Sequence, residues 1–150
     1  MKAIKLTLFI LIVGAFSCKS KLTGKELMPD MKQTDSVEIL FFKNPENQRF
    51  YTYLPVKDKE FIYDLVTDVS GEVQPENPCI KEGKIYCFKN GQIFNTIFFA
   101  YADPECSFLR FIKNGKLYYF SMSESIKKNL IEYKQLAWEP VSADSTKQHQ

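Results

Sequence analysis

The sequence predicts an α+β fold in which helices cover one face of an antiparallel sheet. Two Asn-Gly pairs each join segments rich in β-branched and aromatic residues, and such pairs are the strongest short signal of a β-hairpin. Two other segments repeat apolar residues every three to four positions, which is the period of an amphipathic helix. Together these segments span about one hundred residues, the size of a single domain. We therefore expect one α+β domain.

The first predicted element of this domain is a hairpin. Apolar and aromatic residues are concentrated from Val37 to Phe42 and again from Arg49 to Leu54. The residues between these segments, Asn44 to Asn47, are turn formers and include a proline. Two short apolar segments separated by a turn cluster predict a pair of antiparallel strands.

The apolar period changes to that of a helix between residues 57 and 69. Phe61, Leu65 and Val69 fall on one stripe of this segment. Asp58 lies where its side chain can cap the first turn. The residue after the last turn is glycine, which predicts a cap in the left-handed conformation. We expect an amphipathic helix whose apolar stripe packs against the sheet.

A four-stranded meander is predicted after this helix. The pairs Asn90-Gly91 and Asn114-Gly115 each predict a two-residue turn, and Asp103-Pro104-Glu105 supplies the turn between the two hairpins. Lysine, glycine, an aliphatic residue and an aromatic residue recur in the same order around these turns. We expect strands at residues 84–89, 92–101, 106–113 and 116–121.

The last predicted element is a helix at about residues 123–136. Apolar residues from Ile126 onward follow helical spacing. Ser121 and Glu124 have the spacing of a capping box, which predicts that Ser121 caps the first turn. Trp138 is expected to dock against the domain after the helix ends.

The tight turns sort the residues of the meander onto two faces of the sheet. If Lys89 pairs with Gln92, one face is almost purely apolar and is expected to receive the helices. This first face contains Ile85, Cys87, Phe94, Phe98, Ala100, Leu109, Phe111, Tyr118, Phe120 and Met122. The second face contains Tyr86, Phe88, Ile93, Asn95, Ile97, Phe99, Phe108, Arg110, Ile112, Leu117 and Tyr119.

The second face has two interpretations. A large exposed surface with tyrosine and arginine has the composition of a protein-binding hot spot. On this interpretation, the candidate partner-binding residues are Tyr86, Phe99, Arg110 and Tyr119. Alternatively, the first hairpin or the last helix covers this face. A shift of the register by one residue would exchange the two faces.

The cysteines predict one disulfide. Cys79 and Cys106 are expected near the same end of the sheet, which makes them the favoured pair. Cys87 is then a buried free thiol, and the fourth cysteine is Cys18. The alternative, a soft-metal site, is disfavoured because the sequence has no Cys-x-x-Cys spacing and no histidine in the domain.

The first seventeen residues have the layout of a secretory signal peptide. Lys2 and Lys5 precede an apolar run of about eleven residues, which is shorter than the roughly 20 residues that span a bilayer as a helix. The small residues Ala15 and Ser17 flank Phe16 at the end of this run, and Cys18 follows. The stretch from Gly14 to Cys18 resembles a bacterial lipoprotein signal, although this chain has Ala15 where that family usually has leucine.

The resemblance implies that cleavage leaves Cys18 as a lipidated first residue, whose acyl chains hold the domain on a membrane. The protein would then lie in the cell envelope and face the periplasm or the exterior. Two alternatives stay open. One is an ordinary secretory signal cleaved after Ser17, and the other is an uncleaved membrane anchor or buried helix.

These assignments divide the chain into four parts. Residues 1–17 are the predicted signal peptide. Residues 18–35 are the lipidated cysteine and a polar segment predicted to be a flexible tether. Residues 36–139 form the single α+β domain, and residues 140–150 form a polar tail predicted to be disordered.

Charge and composition argue against several classes of function. Removal of residues 1–17 lowers the number of basic residues from 20 to 18, which equals the number of acidic residues. Nucleic-acid binding is not expected for a neutral chain, because phosphate contacts need an excess of lysine and arginine. The only histidine is His149, and no nucleotide-binding or hydrolase motif is present. We expect no enzymatic activity, no metal and no cofactor.

The sequence therefore favours a membrane-tethered, non-enzymatic lipoprotein that binds a protein partner. Its small size and its tether are similar in architecture to inhibitor or immunity-type lipoproteins, an analogy that rests on no motif. The alternative is a lipoprotein that binds a small ligand or a lipid in an aromatic cleft between the sheet and the helices.

Overall fold

The computed structural model of the chain describes residues 21–140. Cys18, the predicted signal peptide and residues 141–150 of the predicted tail lie outside this range. The described residues form an α+β domain, as predicted. Its elements are α1 (Gly24–Leu27), β1 (Ser36–Phe42), β2 (Tyr51–Val56), α2 (Lys59–Ser70), β3 (Gly83–Lys89), β4 (Gln92–Ala100), β5 (Phe108–Lys113), β6 (Lys116–Ser121) and α3 (Glu124–Leu136), with 3-10 helices at Pro29–Gln33 and Pro104–Cys106.

The strands form one antiparallel sheet in the order β2-β1-β3-β4-β5-β6. The predicted hairpin and the predicted meander are joined because β1 pairs with both β2 and β3. Both Asn-Gly turns adopt the predicted conformation, with φ of 52° at Asn90 and at Asn114. Two positive φ angles in succession match the right-handed twist of the strands that each turn joins.

Short chain segments pair with the outer edges of both edge strands. At the edge of β2, Tyr53 and Trp138 exchange backbone hydrogen bonds of 2.9 and 3.2 Å, so Trp138 docks after α3 as expected. At the edge of β6, the backbone N–H of Gln74 donates to the carbonyl of Tyr119 at 2.8 Å. These bridges reduce the length of unpaired edge that could recruit another chain.

The caps of the two long helices agree only partly with the sequence patterns. Asp58 caps α2 as predicted, since its carboxylate accepts hydrogen bonds from the backbone N–H groups of Glu60 and Phe61. Gly71 has a φ of −68°, so the predicted left-handed cap is wrong. The cap of α3 is Ser123 and not Ser121, because the Ser123 hydroxyl accepts from the N–H of Ile126.

The hydrophobic core lies between one face of the sheet and the helices α2 and α3. The helices contribute Phe61 and Leu65 from α2 and Ile126 and Leu130 from α3, all with no exposed surface. The sheet residues of this core are Val37, Ile39, Phe41, Val56, Ile85, Cys87, Ile97, Phe99, Leu109, Phe111 and Phe120. Their close packing accounts for the placement of both helices on the same side.

The domain begins before residue 36, so the predicted flexible tether at residues 18–35 is wrong for its described part. Met28 and Met31 are 5% and 1% exposed and belong to the main core. Gly24 is buried, and its N–H donates to the carbonyl of Gly71 at 2.8 Å. The tether was predicted because this segment has few apolar residues, but its two methionines are enough to seal the core beside α2.

A β-bulge in the first Asn-Gly hairpin reverses the predicted faces of β4. Cys87 pairs with Asn95 and Phe88 pairs with Ile93, so Phe94 has no partner of its own on β3. Beyond this extra residue each position of β4 faces the opposite side of the sheet from the one predicted. The helix side of β4 therefore carries Ile97 and Phe99 instead of Phe98 and Ala100.

No α-helix within residues 21–140 has the length and apolar character needed to cross a bilayer.

Candidate functional site

The face of the sheet opposite the helices is called the open face here. One row of paired residues crosses all six strands on this face. The register places Lys84 beside Phe98, Phe98 beside Arg110, and Arg110 beside Tyr119. The complete row from β2 to β6 is Tyr53, Leu40, Lys84, Phe98, Arg110 and Tyr119.

A disulfide-linked segment covers one end of the open face. Cys79 and Cys106 form a disulfide with their Cα atoms 5.7 Å apart, which is the pair that the predicted register favoured. Cys79 packs against a small separate apolar cluster of Ala100, Phe108 and Tyr119. The covered end is therefore fixed by a covalent link. Of the rest of the row, Leu40 is buried, and Tyr53, Lys84, Phe98 and Arg110 are partly exposed.

Three cationic side chains lie over the aromatic rings of the open face. The Lys81 ammonium is 4.7 Å from the centre of the Phe98 ring, and the Arg110 guanidinium carbon is 5.9 Å from it. The Lys84 ammonium is 4.5 Å from the centre of the Tyr86 ring. Each distance is within the range of a cation–π attraction, which holds these charges on the apolar surface.

The cations of this cluster have no carboxylate within ion-pair distance among the described residues, although Glu38 lies on the same face, opposite Tyr86. Lys81, Lys84 and Arg110 form no ion pair with any carboxylate of residues 21–140. The Nε atom of Arg110 is buried and has no hydrogen-bond partner within the same range. Burial, together with the positive charges of Arg110 and Lys84, lowers the pKa of Lys81 below that of an ordinary lysine. An anionic group brought to this face would relieve the repulsion.

A shallow depression of about 510 Å³ lies beside this cluster. Its lining includes Lys84, Tyr86, Thr96, Phe98 and Ile112. Ile112 is 56% exposed and lies directly opposite Leu117 in the β5–β6 hairpin, which is 37% exposed. The open face thus combines an apolar margin with a cationic, aromatic centre.

Two of the four predicted partner-binding residues lie on the accessible part of this face. Tyr86 and Arg110 are half-buried and are brought together with the lysines described above. Tyr119 belongs to the same row but is only 4% exposed, because it packs in the apolar cluster beside Cys79. The assignment of Phe99 is wrong, since this side chain has no exposed surface and lies in the core.

The reason for the position of Phe99 is visible at Gly83, its partner on β3. A Cβ atom added to Gly83 would lie 2.2 Å from the Phe99 ring, so this ring occupies the space that a side chain would fill. Phe98, Lys81 and Lys84 were missed as site residues. Gly83, the first residue of β3, was the available signal, because glycine within a strand often marks a close approach.

The interior between the described sheet and helices is filled with side chains. Phe61, Phe99 and Leu130 belong to one core cluster there and have no exposed surface. Residues 21–140 also contain no group of three His, Cys, Asp or Glu side chains placed to hold a metal ion. Burial raises the pKa of the Cys87 thiol to about 12, so this group is not poised as a nucleophile.

No protein-family model matches the chain, and comparisons with curated proteins and with solved structures find no similar protein.

Proposed function

We propose that this protein is a lipoprotein of the cell envelope that binds a protein partner through the open face of its sheet. The observation that supports this proposal most strongly is the cluster of Lys81, Lys84 and Arg110 over an aromatic surface, with no carboxylate partner within residues 21–140. The bound surface would supply carboxylates to these cations and apolar side chains to the depression beside Tyr86.

The physical reason is that the components of the cluster have opposite preferences in water. Aromatic surface is stabilised by burial, whereas three unpaired cations resist burial unless an anion accompanies them. An acidic protein surface satisfies both requirements, because it brings carboxylates and excludes water from the rings at once. Tyrosine and arginine are also the residue types that most often dominate the binding energy of an interface.

The membrane attachment in this proposal rests on Cys18. Lipidation at this residue would hold the domain at a membrane surface, where the partner is also expected. Replacement of Cys18 by alanine should release or misprocess the protein. Fractionation of cells that produce each form tests this, and equal membrane retention of both forms would contradict the anchor.

The experiment that tests the binding face is a pull-down with tagged protein from detergent-solubilised membranes, read by mass spectrometry. We expect one or a few proteins to be enriched by the wild-type chain. Lys81→Glu combined with Lys84→Glu should weaken this interaction about thirtyfold or more, as expected for disruption of a hot spot.

The matched control for this experiment is Lys128→Glu combined with Lys134→Glu. These lysines are exposed on α3, on the other side of the sheet, and their replacement changes the net charge by the same amount. Loss of the partner from both double variants would indicate a nonspecific charge effect. Retention of the partner by the open-face variant would show that binding takes place elsewhere.

A further inference from the structure

The chain enters the domain very close to the predicted lipidation site. The carbonyl of Leu22 accepts a hydrogen bond of 3.0 Å from the N–H of Val73, and Thr23 bridges to Glu72. Leu22 is four positions after Cys18 in the sequence. Four residues reach about 14 Å when fully extended, so a lipidated Cys18 would keep this part of the domain near the bilayer surface.

An apolar groove lies beside this entry point. It has a volume of about 810 Å³ and runs between α2 and the segment from Gly24 to Asp35. Ile62 and Val66 lie along it, and the aromatic ring of Tyr63 stands at its side with 70% of its surface exposed. Ile62 is only 7% exposed and Val66 is half-buried, so the exposed ring of Tyr63 is the main apolar group that this surface offers. Tyrosine is enriched at membrane interfaces, where its apolar ring and polar hydroxyl are both accommodated.

Three lysines border the groove, namely Lys25, Lys32 and Lys59. None of them forms an ion pair with a carboxylate of residues 21–140. Among residues 21–140, the one acidic residue that lines the groove is Asp35. Its carboxylate already accepts hydrogen bonds from the Ser36 hydroxyl and the Asn90 backbone N–H, at 2.8 and 2.6 Å.

Other acids in the N-terminal segment are also engaged within the domain. Glu26 accepts hydrogen bonds of 2.9 Å from the backbone and the hydroxyl of Thr23. Asp30 accepts one of 2.8 Å from the side chain of Gln33. The lysines of the groove are therefore the groups most available to an external anion.

We propose that this groove lies against the membrane and takes anionic phospholipid. Lys25, Lys32 and Lys59 contact the lipid phosphates, while the exposed ring of Tyr63 and the half-buried side chain of Val66 contact the acyl-chain boundary. This inference rests on the proposed function in one respect: the lipid anchor at Cys18 is what keeps the groove close to the bilayer. Binding of lipid by the groove itself does not require the anchor. Because α2 packs on the helix side of the sheet, the open face then points away from the membrane, toward a partner.

The first test uses a chain that begins at residue 18 with Cys18→Ser, so that it carries neither lipid nor the predicted signal peptide. It is mixed with vesicles of phosphatidylcholine with or without phosphatidylglycerol. We expect sedimentation with the anionic vesicles only. Lys25→Gln combined with Lys59→Gln should lower the vesicle affinity about twenty-five-fold, since each lysine near an anionic surface contributes about a factor of five.

The matched control is Lys81→Gln combined with Lys84→Gln, which removes the same charge from the open face. It should leave vesicle binding unchanged and weaken partner binding, whereas the groove pair should do the reverse. Equal loss of vesicle binding in both pairs would overturn the proposal, and so would sedimentation that does not depend on phosphatidylglycerol. Either result is independent of whether Cys18 is lipidated.

The second test measures orientation in the lipidated protein. Trp138 is the only tryptophan, so Trp138→Phe combined with Tyr63→Trp places a single fluorophore at the groove. Brominated lipids should quench this fluorophore strongly. In the matching protein, which carries Trp138→Phe and Tyr86→Trp, they should quench the fluorophore on the open face only weakly. Equal quenching would overturn the orientation. Loss of the protein from the vesicles would instead contradict the anchor.

Discussion

The two faces of the sheet are both rich in aromatic residues, but only one of them is sealed by helices. Phe98 and Phe99 are neighbours in β4 and have the same side chain. Phe99 lies under the helices with no exposed surface, whereas Phe98 lies under two cationic groups at the surface. The comparison teaches that apolar composition alone does not distinguish a core face from a binding face. The helices or loops that pack over a face decide whether it becomes part of the core or stays available for binding.

The largest expected effect is the loss of stability when Phe99, the buried residue of the Phe98 and Phe99 pair, is replaced. Phe99→Ala should destabilise the domain by about 3–5 kcal/mol, because it leaves a cavity between the sheet and the helices. Phe98→Ala is the matched control on the open face. It should cost about 1 kcal/mol in stability while weakening the partner interaction.

Urea denaturation of both variants measures this difference. Equal destabilisation by the two substitutions would mean that the faces are not distinct, and a larger effect at Phe98 would mean that the assigned register of β4 is wrong. Partner binding by Phe98→Ala separates the role of this ring in recognition from its role in folding.

The next effect concerns the segment that covers one end of the open face. Cys79→Ser combined with Cys106→Ser opens a loop between residues 27 positions apart. A loop of this length predicts a loss of about 3–4 kcal/mol of stability, chiefly because the unfolded chain gains freedom. Tyr119 and Phe108 should also become more accessible, since Cys79 packs beside them.

Thermal unfolding of the double variant and of the reduced wild-type protein measures this contribution. The two should agree, because both lack the same bond, and Cys87 is a buried free thiol in each. An unchanged midpoint in both would show that the segment is held over the sheet by packing alone, and the covered end would then need another explanation.

The smallest expected effect is a dependence of partner binding on pH. The pKa of Lys81 is lowered by burial and by Arg110 and Lys84, so this group loses its proton below the ordinary lysine value of 10.5. Binding of an anionic surface favours the protonated form. The affinity should therefore fall as the pH rises through the lowered pKa.

The stability of the free domain should change in the opposite direction. Because the folded state holds the Lys81 proton less tightly than the unfolded chain does, stability rises with pH between the lowered pKa and 10.5. Titration calorimetry with the partner in alkaline buffers measures the binding effect, with Lys81→Met as the control. If this variant keeps the full pH dependence, the effect belongs to another group.

Local patterns were sufficient to predict most of the fold. The period of apolar residues gave the positions of α2 and α3, and the Asn-Gly pairs gave both tight turns of the meander. These signals act between residues close in the chain, so their physical effect does not depend on what packs around them. The same signals placed Tyr86 and Arg110 correctly on the open face.

The remaining features depend on contacts between distant parts of the chain, and only the tertiary structure decided them. Phe94 bulges out of the pairing between β3 and β4, and at the other end of this strand pair the Phe99 ring fills the space above Gly83. No turn signal specifies either feature. Met31 is 1% exposed and joins the core, although its neighbours in sequence, Asp30 and Lys32, are polar. By itself the sequence determined the six strands and the two long helices, but not the short helices between residues 24 and 33. Packing decided which faces of the sheet are buried. It also decided that Lys81, Lys84 and Arg110 lie together on the open face. The reason is that burial depends on how several segments pack together and cannot be read from one segment alone.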